Sequence, residues 1–409
     1  MGWFFWFLLK CFKSSHFLYR LYIFGCNSTY HSRPMIIAVN TRLLLKGKLE
    51  GIGWFTKETL SRITINHPEH QFIFIFDRPF SDEFIFSDNI TPIVLLPPTR
   101  HPVLWFIWFE LQIPRILKKY KADLFFSPDG YLSLSTPVTQ LAAIHDINFA
   151  HRPQDLPWLK GKYYNYYFPL FSKKAKRIVT VSSFSKNDIH QTYHIENDKI
   201  DVVYNGVNTM YTPTSEEERK VAKANYSQGK DYFLFIGSLH ARKNICGLLQ
   251  AFDAFKTSVE SDIRLLIVGE SMFKSDDIEQ TYQGMRYKEE VVFAGRLGNE
   301  ALHQVLGAAM ALTFVPFFEG FGIPVIEAMN AGIPVICSNT TSLPEVGGDA
   351  VLYVDPFDNP QVKDTMIKLY QDKDLRRSLI EKGFKQKEKF SWDKTAELLW
   401  ESIEECVKS

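Results

Sequence analysis

The stretch FFEGFGIPVIEAMNAG, residues 317–332, says more about the fold than any other part of the chain. An apolar run that ends near Val315 precedes it and predicts a buried strand. Gly320 and Gly322 follow in a loop where backbone can approach a ligand closely. Pro324 suits the first turn of a helix. The stretch therefore predicts a strand, a glycine loop and a helix, in that order.

Such a loop presents free backbone N–H groups at a helix N-terminus, which favours an anion such as a diphosphate. Glu319 lies in the loop, and we predict Glu327 in the first helical turn. A carboxylate accepts two hydroxyl hydrogen bonds, as a vicinal sugar or ribose diol requires. The alternative is an ordinary strand–helix junction that carries two solvated glutamates.

The rest of the chain repeats this alternation of short apolar strands and helices. The strands are predicted at 35–40, 71–76, 91–96, 122–128, 139–146, 177–182 and 199–204, and again at 232–237, 263–268, 291–294, 311–315, 333–338 and 351–354. Near-continuous apolar strands between helices indicate parallel sheets covered on both faces.

The alternation occurs twice, so we predict an α/β protein of two doubly wound, Rossmann-like domains. The domains are 35–205 and 206–392, and they face a cleft at the carboxyl ends of their strands. The last helix, within 393–409, lies outside the second repeat and is predicted to cross back onto the first domain.

Composition narrows the function further. The 409 residues include 47 basic and 46 acidic ones, and this net charge of +1 argues against a nucleic-acid partner. The five cysteines are scattered without a C-x-x-C pair, which argues against a disulfide framework or zinc site and fits a reducing compartment. No Walker loop or complete G-x-G-x-x-G is present, which argues against a kinase or a dehydrogenase.

Residues 1–34 contain basic but no acidic residues, and their apolar run Trp3–Leu9 is far shorter than the roughly 20 residues of a membrane-spanning helix. Three interpretations stay open. The segment is a basic, aromatic membrane-surface anchor, or a poorly ordered extension, or it precedes the real start at Met35, where the first strand begins.

A second motif, FIGSLHARKN at 235–244, ends a strand at Gly237 and places Arg242 and Lys243 just before a helix. Two cations there would clamp phosphates and neutralise charge on a leaving diphosphate. A solvated basic turn is the alternative interpretation.

Three shorter motifs follow other predicted strands. AIHDINF at 143–149 delivers His145 to a strand end, where it would hydrogen-bond a sugar hydroxyl or serve only as a structural histidine. EGIGW at 50–54 forms a predicted loop before a helix, and an ordinary tight turn without a ligand is the alternative interpretation. FAGRL at 293–297 puts Arg296 at another strand end.

Together these motifs resemble the retaining GT-B glycosyltransferases of family 4. Glu319 and Glu327 occupy the two glutamate positions of that family's E-x7-E signature, and Arg242 and Lys243 match its phosphate loop. Many members carry an arginine directly after the glycine, where this chain has Ser238, and Arg242 is the candidate for that charge. The resemblance runs from about residue 36 to 407 and is stronger in the second half.

The resemblance implies a GT-B fold and transfer of a hexose, with retention, from a nucleotide-diphosphate sugar to a saccharide or lipid-linked acceptor. It places the protein in cell-surface polysaccharide or glycolipid synthesis, in the cytoplasm or peripherally on the inner face of the membrane, without a metal or other cofactor. It assigns catalytic roles to Glu319, His145 and Lys243, donor contacts to Arg242, Lys243, Gly320, Phe321, Gly322, Ile323, Glu327, Arg296, Gly237 and Ser238, and an N-domain loop to Gly51 and Gly53.

Other functions and one surface question stay open at this stage. The rivals are a sugar-nucleotide epimerase or phosphorylase of GT-B fold and a catalytically silent nucleotide-sugar-binding scaffold. The aromatic stretch 101–120, which ends in a basic run, is predicted either to cover the first sheet or to touch a membrane that holds a lipid-linked acceptor.

Overall fold

The computed structural model describes residues 33–270 and 276–408. Most of the N-terminal extension predicted at 1–34 lies outside these residues, so the three interpretations of it stay predictions. Residues 35–409 form one compact unit. In the described part of that unit, no helix is long and apolar enough to cross a membrane.

Thirteen strands in the described residues form two parallel sheets. They are β1 (Ile36–Asn40), β2 (Gln71–Phe76), β3 (Ile90–Val94), β4 (Leu124–Ser127), β5 (Thr139–Ala143), β6 (Arg177–Thr180), β7 (Ile200–Val202), β8 (Tyr232–Ile236), β9 (Arg264–Val268), β10 (Val291–Gly295), β11 (Ala311–Phe314), β12 (Val335–Ser338) and β13 (Leu352–Val354). Every predicted strand is present, most of them shorter by one to three residues.

The two sheets share one topology. The first has the order β3-β2-β1-β4-β5-β6-β7 and the second has the order β10-β9-β8-β11-β12-β13. The direction of strand order therefore reverses between β1 and β4 in the first sheet and between β8 and β11 in the second. Ligands of open α/β sheets bind outside the carboxyl ends of the strands at such reversals.

Helices cover both faces of each sheet. They are α1 (Gly51–Asn66), α2 (Pro102–Phe106), α3 (Ile113–Tyr120), α4 (Asn148–His151), α5 (Trp158–Lys174), α6 (Ser183–Tyr193), α7 (Glu216–Ser227), α8 (Ile245–Ser258), α9 (Asp276–Gly284), α10 (Asn299–Ala308), α11 (Ile323–Asn330), α12 (Leu343–Gly347), α13 (Asn359–Gln371), α14 (Lys373–Gln386) and α15 (Trp392–Val407).

The central strands are buried on both faces because helices cover both sides. Five of the six residues of β2 and all five of β8 are buried, which explains why these segments read as continuous apolar runs instead of alternating ones. The aromatic residues in them fill the space between sheet and helix.

The stretch 101–120 folds as one helical segment, in which a π-helical turn (Ile107–Gln112) joins α2 to α3. Pro114 follows that turn, and proline disturbs the regular hydrogen-bond ladder of a helix. Trp108 and Phe109 are fully buried under the turn. The segment therefore covers the first sheet, as one of the two interpretations predicted, while Phe106 on its outer side is exposed.

The final helix, α15, packs on the first domain, as predicted. The indole of Trp400 stacks on His67 with ring centroids 3.7 Å apart, and Ser402 Oγ donates to Asp201 Oδ2 at 2.9 Å. Its first turn is tied to α1 through Arg62, whose Nε donates to Asp393 Oδ1 at 2.5 Å. Strand β1 and helix α15 therefore belong to the same domain.

The prediction for the stretch 50–54 was wrong. Helix α1 begins at Gly51, so Gly51 and Gly53 lie in its first turn and not in a loop before it.

Candidate active site

The predicted basic loop and the predicted glycine loop meet where β8 and β11 end. The Lys243 ammonium donates to Glu319 Oε2, and Arg242 Nη1 donates to the same oxygen at 3.0 Å and to the Phe318 carbonyl at 3.0 Å. The Lys243 ammonium also lies 4.8 Å from the centroid of the Phe314 ring. The structure thus gathers the predicted phosphate clamp and the first glutamate of the signature into one cluster, Arg242–Lys243–Glu319.

The backbone around this cluster is fixed by its neighbours. Asn244 adopts the left-handed conformation, with φ of 58°, which asparagine tolerates better than most residues. Its amide Nδ2 donates to the Val315 carbonyl at 3.1 Å and to the Pro356 carbonyl at 2.8 Å. Phe317 N–H donates to the Arg242 carbonyl at 2.8 Å. The cations are therefore held in place before any ligand binds.

Burial and charge set the protonation of the cluster. Burial lowers the pKa of Lys243 to about 8, although Glu319 opposes this shift. Burial also acts to raise the pKa of Glu319, but Lys243 and Arg242 outweigh it and the pKa is lowered. Near neutral pH the cluster holds two cations and one carboxylate, which leaves positive charge for a bound diphosphate.

The glycine loop supplies further donors. Gly322 has φ of +106° and is the N-cap of α11, a conformation that favours glycine. Among the described residues, none accepts a hydrogen bond from the N–H groups of Gly320, Phe321 or Gly322. Together with the start of α11 they form the N–H cradle that was predicted for an anion.

Gly320 has a second role that the sequence did not suggest. A Cβ atom there would lie 2.7 Å from the His145 carbonyl oxygen and 2.9 Å from Asp146 Cβ. The loop therefore touches the backbone that ends β5, in the first domain. Glycine is needed here because the two domains approach each other closely at this point.

Glu327 is the fifth residue of α11, so it lies in the second helical turn and not in the first, as predicted. It is half-buried, and no described residue donates a hydrogen bond to its carboxylate. Desolvation raises its pKa to about 8. A carboxylate without partners and partly shielded from water is suited to accept hydroxyl groups from a ligand.

His145 lies two residues beyond β5, and its carbonyl borders the glycine loop at Gly320. Its Nε2 lies 2.9 Å from the Pro128 carbonyl, and because a carbonyl only accepts, Nε2 carries the hydrogen and Nδ1 is the acceptor in the neutral ring. Burial lowers the pKa of His145, so the ring is neutral at physiological pH. Asp146 Oδ1 accepts from Asn148 N–H at 3.0 Å and caps the turn that follows.

Several contacts that hold the domains together at this edge were not predicted. Glu345, in α12 of the second domain, accepts from Ser183 N–H at 2.9 Å and from the Tyr204 hydroxyl at 2.6 Å. Ser182 Oγ donates to the Gly320 carbonyl at 2.8 Å. The sequence alone does not indicate that these residues meet, so only the folded arrangement reveals the contacts.

The structure also gives a position to each of the other predicted site residues. Arg296 lies 3.7 Å from Glu50 Oε1 and links the end of β10 to the start of α1. Gly237 directly follows β8 and has φ of +152°. The Phe321 ring is buried against Phe390, with centroids 5.5 Å apart, so its side chain belongs to the core and only its N–H faces the cradle.

Two predicted donor contacts and the two predicted loop glycines complete the set. Ser238 and Ile323 are half-buried, and Ser238 directly follows the strand end that carries the basic loop. A Cβ atom at Gly51 would come within 4.0 Å of Ile323 Cδ1. Gly51 therefore approaches the start of α11, although from a helix, whereas a Cβ atom at Gly53 would meet Leu43 and Leu49 of its own domain.

Among the described residues, one cluster has the composition of a metal site, but it lies elsewhere. His67, Glu69 and His70 bring their ligand atoms within 4.8 Å of one another near the amino end of β2, opposite the cleft. His70 Nδ1 accepts from Met35 N–H at 3.1 Å, so Nε2 of the neutral ring carries its hydrogen. His67 stacks on Trp400. These contacts give the two rings a packing role.

Two family models match the chain. The model described as "Glycosyl transferases group 1" matches residues 216–386, and the one described as "Glycosyltransferase Family 4" matches residues 68–211. The first match contains the Arg242–Lys243–Glu319 cluster and Glu327, and the second contains His145. Both halves of the cleft therefore lie within matched segments.

Relatives and solved structures agree with this match. The chain is 29% identical over 362 residues to an O-antigen chain mannosyltransferase B of Escherichia coli, covering 85% of this chain and 94% of the relative. It is 28% identical to the O-antigen chain mannosyltransferase RfbU of Salmonella typhimurium, covering 63% of this chain and 68% of that one. Anabaena HepE, solved in complex with UDP-glucose, superposes with a TM-score of 0.70 at 14% identity, over 91% of this chain and all of that one. The chain belongs to the GT-B glycosyltransferases of the family-4, glycosyl transferases group 1, type.

Proposed function

We propose that the protein transfers mannose from a nucleotide-diphosphate mannose to a growing cell-surface polysaccharide, with retention of the anomeric configuration. The Arg242–Lys243–Glu319 cluster beside the open N–H cradle is the observation that carries this proposal. The choice of mannose and of a surface polysaccharide is supported by the names of the relatives, which are O-antigen mannosyltransferases. Its proposed place of action is the cytoplasm.

The proposed mechanism assigns the donor diphosphate to Lys243, Arg242 and the N–H groups of the glycine loop. These donors are positioned before the reaction, so they stabilise the charge that develops on the leaving diphosphate without rearranging. Glu319 holds the two cations in place and lies where the sugar would sit. No residue is assigned as a covalent nucleophile.

His145 and Glu327 orient the donor at its two ends. Neutral His145 offers Nδ1 as an acceptor for a sugar hydroxyl, while the unpartnered carboxylate of Glu327 takes the ribose diol. The acceptor hydroxyl attacks the anomeric carbon from the same face as that from which the leaving group departs. The leaving phosphate takes the proton of that hydroxyl. The configuration at the anomeric carbon is then kept.

We expect donor affinity to peak near pH 8. Below pH 8, Glu327 must lose a proton to accept the diol as a carboxylate, and this lowers affinity as pH falls. Above pH 8, Lys243 loses its charge, and this lowers affinity as pH rises. Titration of a nucleotide sugar between pH 6 and 9.5, by calorimetry, measures both limbs, since its diphosphate stays ionised throughout.

The variant Glu327→Gln tests whether Glu327 causes the loss of donor affinity below pH 8. The variant is expected to bind the donor about 10-fold or more weakly at pH 8, since hydrogen bonds to a charged group contribute about 1.5–3 kcal/mol, and its affinity should no longer fall below pH 8. A 2′,3′-dideoxy donor serves as the matched ligand control, because it should weaken binding to the wild type but not further to the variant. If the donor affinity of Glu327→Gln still fell below pH 8 as it does in the wild type, this role of Glu327 would be contradicted.

The outer surface of the first domain supports a lipid-linked acceptor. Helices α2 and α5 pack together through Trp105 and Tyr164, whose rings stack at 5.7 Å, and they expose Phe106 and Trp158, the latter 74% accessible. The chain carries no acidic residue between Asp155 and Asp188. Exposed aromatic residues beside lysines are typical of a surface that meets an anionic membrane.

This surface predicts binding to vesicles with anionic lipids. Replacing both Phe106 and Trp158 with serine should reduce co-flotation at least fivefold, because each residue would lose its place at the lipid interface. Phe357→Ser is the control, since Phe357 is about as exposed as Trp158, at 70%, but lies in the second domain. Equal flotation of all variants, or none by the wild type, would remove the membrane contact.

A panel of GDP-, UDP- and ADP-linked hexoses tests the proposed function. The protein is expected to release nucleotide diphosphate from GDP-mannose or another single member of the panel, faster with an oligosaccharide acceptor. Conversion of the donor to an isomer without release would favour the epimerase. Binding without any turnover would favour the silent scaffold.

A further inference from the structure

The reversal point of the first sheet holds an ion pair built like the one at the second. In the second sheet, a cation that follows β8 meets a carboxylate that follows β11. In the first sheet, Arg42 follows β1 and Asp129 follows β4, and Arg42 Nε donates to Asp129 Oδ2 at 2.6 Å. Both pairs therefore occupy the position where open α/β sheets bind ligands.

Asp129 is fully engaged and serves as the platform of this pair. Its Oδ1 accepts from Asn40 Nδ2 at 2.8 Å and from Ser127 Oγ at 3.0 Å, while Oδ2 accepts from Arg42. The guanidinium carbon of Arg42 lies 4.3 Å from the centroid of Tyr131 and 5.3 Å from that of Phe109. The carboxylate of Asp129 therefore holds one edge of the Arg42 guanidinium, and the rings of Tyr131 and Phe109 pack against it.

The other edge of the guanidinium lacks partners. The Arg42 side chain is only 7% exposed, and its one described side-chain hydrogen bond is the one from Nε to Asp129. Nη1 and Nη2 are not among the buried polar atoms without a partner, so the small exposed part of the side chain lies at this edge, where a ligand can reach it. Its free edge, with two parallel N–H groups, matches the oxygens of a phosphate.

The pair also lies next to the proposed reaction site. The Pro128 carbonyl, directly before Asp129, is the partner of His145 Nε2. A second arginine, Arg78, follows β2, the strand next to β1, where its Nε donates to Asp77 Oδ1 at 2.6 Å. A ligand that starts at His145 and runs along the strand ends would therefore meet Arg42 first and Arg78 next.

We infer that Arg42 anchors a second anion site, separate from the donor site, that binds a phosphate or diphosphate group of the acceptor. This inference rests on the proposed function, because it gives the acceptor a chemical property. The transferred sugar would join the acceptor near His145, and the phosphate of the acceptor would lie on Arg42. The phosphate belongs either to a lipid-linked diphosphate or to a soluble phosphorylated sugar.

Calorimetric titration of the full chain with inorganic pyrophosphate tests the site. Lys243→Ala weakens the donor clamp in every sample, so the part of the remaining pyrophosphate affinity that depends on Arg42 reports the second site even if no nucleotide sugar is ever turned over. Adding Arg42→Gln to Lys243→Ala is expected to weaken pyrophosphate binding at least 10-fold. Adding Arg177→Gln instead should leave it unchanged, because Arg177 forms a similar pair with Asp201 at the opposite edge of the same sheet.

Arg42→Lys covers the case in which Arg42→Gln does not fold, because it keeps a cation beside Asp129. The lysine lacks the planar two-donor edge, so pyrophosphate affinity is expected to fall at least threefold in the Lys243→Ala background. Affinity within twofold of Lys243→Ala alone, in a folded Arg42→Gln or Arg42→Lys sample, overturns the inference. Arg42→Gln with intact Lys243 is expected to bind the donor normally. A failure of the second site can therefore be distinguished from a failure of the proposed function.

Farnesyl diphosphate in detergent identifies the source of the phosphate. Binding at least 10-fold tighter than pyrophosphate, and dependent on Arg42, indicates a lipid-linked acceptor. Equal, Arg42-dependent affinity for both probes indicates a soluble phosphorylated acceptor. Binding of farnesyl diphosphate that does not depend on Arg42 counts against the inference, because the lipid alone would then explain it.

Discussion

Replacing Lys243 with alanine is expected to lower the turnover number by about 10²-fold or more, the scale seen when an enzyme loses one preorganised donor to developing negative charge. The Lys243 ammonium is buried, is bonded to Glu319 and sits on the Phe314 ring, so neither water nor a neighbour replaces it. Steady-state kinetics with the donor found in the nucleotide panel measure the loss.

Lys256→Ala is the matched control for the loss of a buried lysine. Lys256 is similarly buried in the same domain, but its ammonium donates to the Ser261 and Ile263 carbonyls in the loop between α8 and β9. We expect its turnover per folded molecule to stay within about threefold of the wild type. If Lys243→Ala kept the wild-type rate, or if both variants lost activity equally, the phosphate clamp would be wrong.

Gly320→Ala is expected to cost about 10²-fold in kcat/KM, the loss that about 1 Å of misplacement causes in an active site. The added methyl carbon would lie 2.7 Å from the His145 carbonyl oxygen, and a backbone atom cannot rotate away. The domains must therefore separate at the point where His145 faces the glycine loop. Nucleotide affinity should change less than threefold, because the alanine keeps its N–H group.

Gly284→Ala provides the control, since a methyl group there meets nothing within 4 Å and the backbone conformation is ordinary. Its kinetics should equal those of the wild type. Wild-type activity in Gly320→Ala would mean that the domain contact in this structure is not the one in which the sugar is transferred.

The fold was largely predictable because its buried strands leave a recognisable pattern of apolar residues in the sequence. Strands buried on both faces produce apolar runs, and the runs at 71–76 and 232–237 became β2 and β8. The start of α1 was mistaken because Gly51 and Gly53 resemble a turn, although both lie in the first helical turn. Gly53 is buried there, and a Cβ atom on it would lie 3.1 Å from the Leu43 carbonyl oxygen.

The candidate site was predictable only where its residues cluster in the sequence. Glu319 and Glu327 are eight positions apart, and Arg242 and Lys243 are adjacent, so each motif could be seen before folding. Arg42 and Asp129 are 87 positions apart, and only the sheet order brings them together. Long-range pairs of single residues leave no pattern in one sequence.

The same reason explains why Gly320 was given one role instead of two. Its place in a glycine loop suggested close approach to a ligand, whereas the contact with His145 depends on how the two domains meet. A sequence predicts local backbone needs well, but the distance between two domains depends on every contact between them, including Glu345 with Ser183 and Tyr204.

The anomeric configuration of the first-formed product decides whether the protein is a retaining glycosyltransferase. Proton NMR of GDP-α-mannose incubated with enzyme, in D2O and within the first minutes, observes the sugar before mutarotation, and transfer to water suffices if no acceptor is at hand. A retaining enzyme is expected to give α-mannose, or an α-linked product when an oligosaccharide acceptor is present, and no product signal within these minutes with Lys243→Ala. Formation of the β-anomer would contradict the retaining geometry assigned to this cleft.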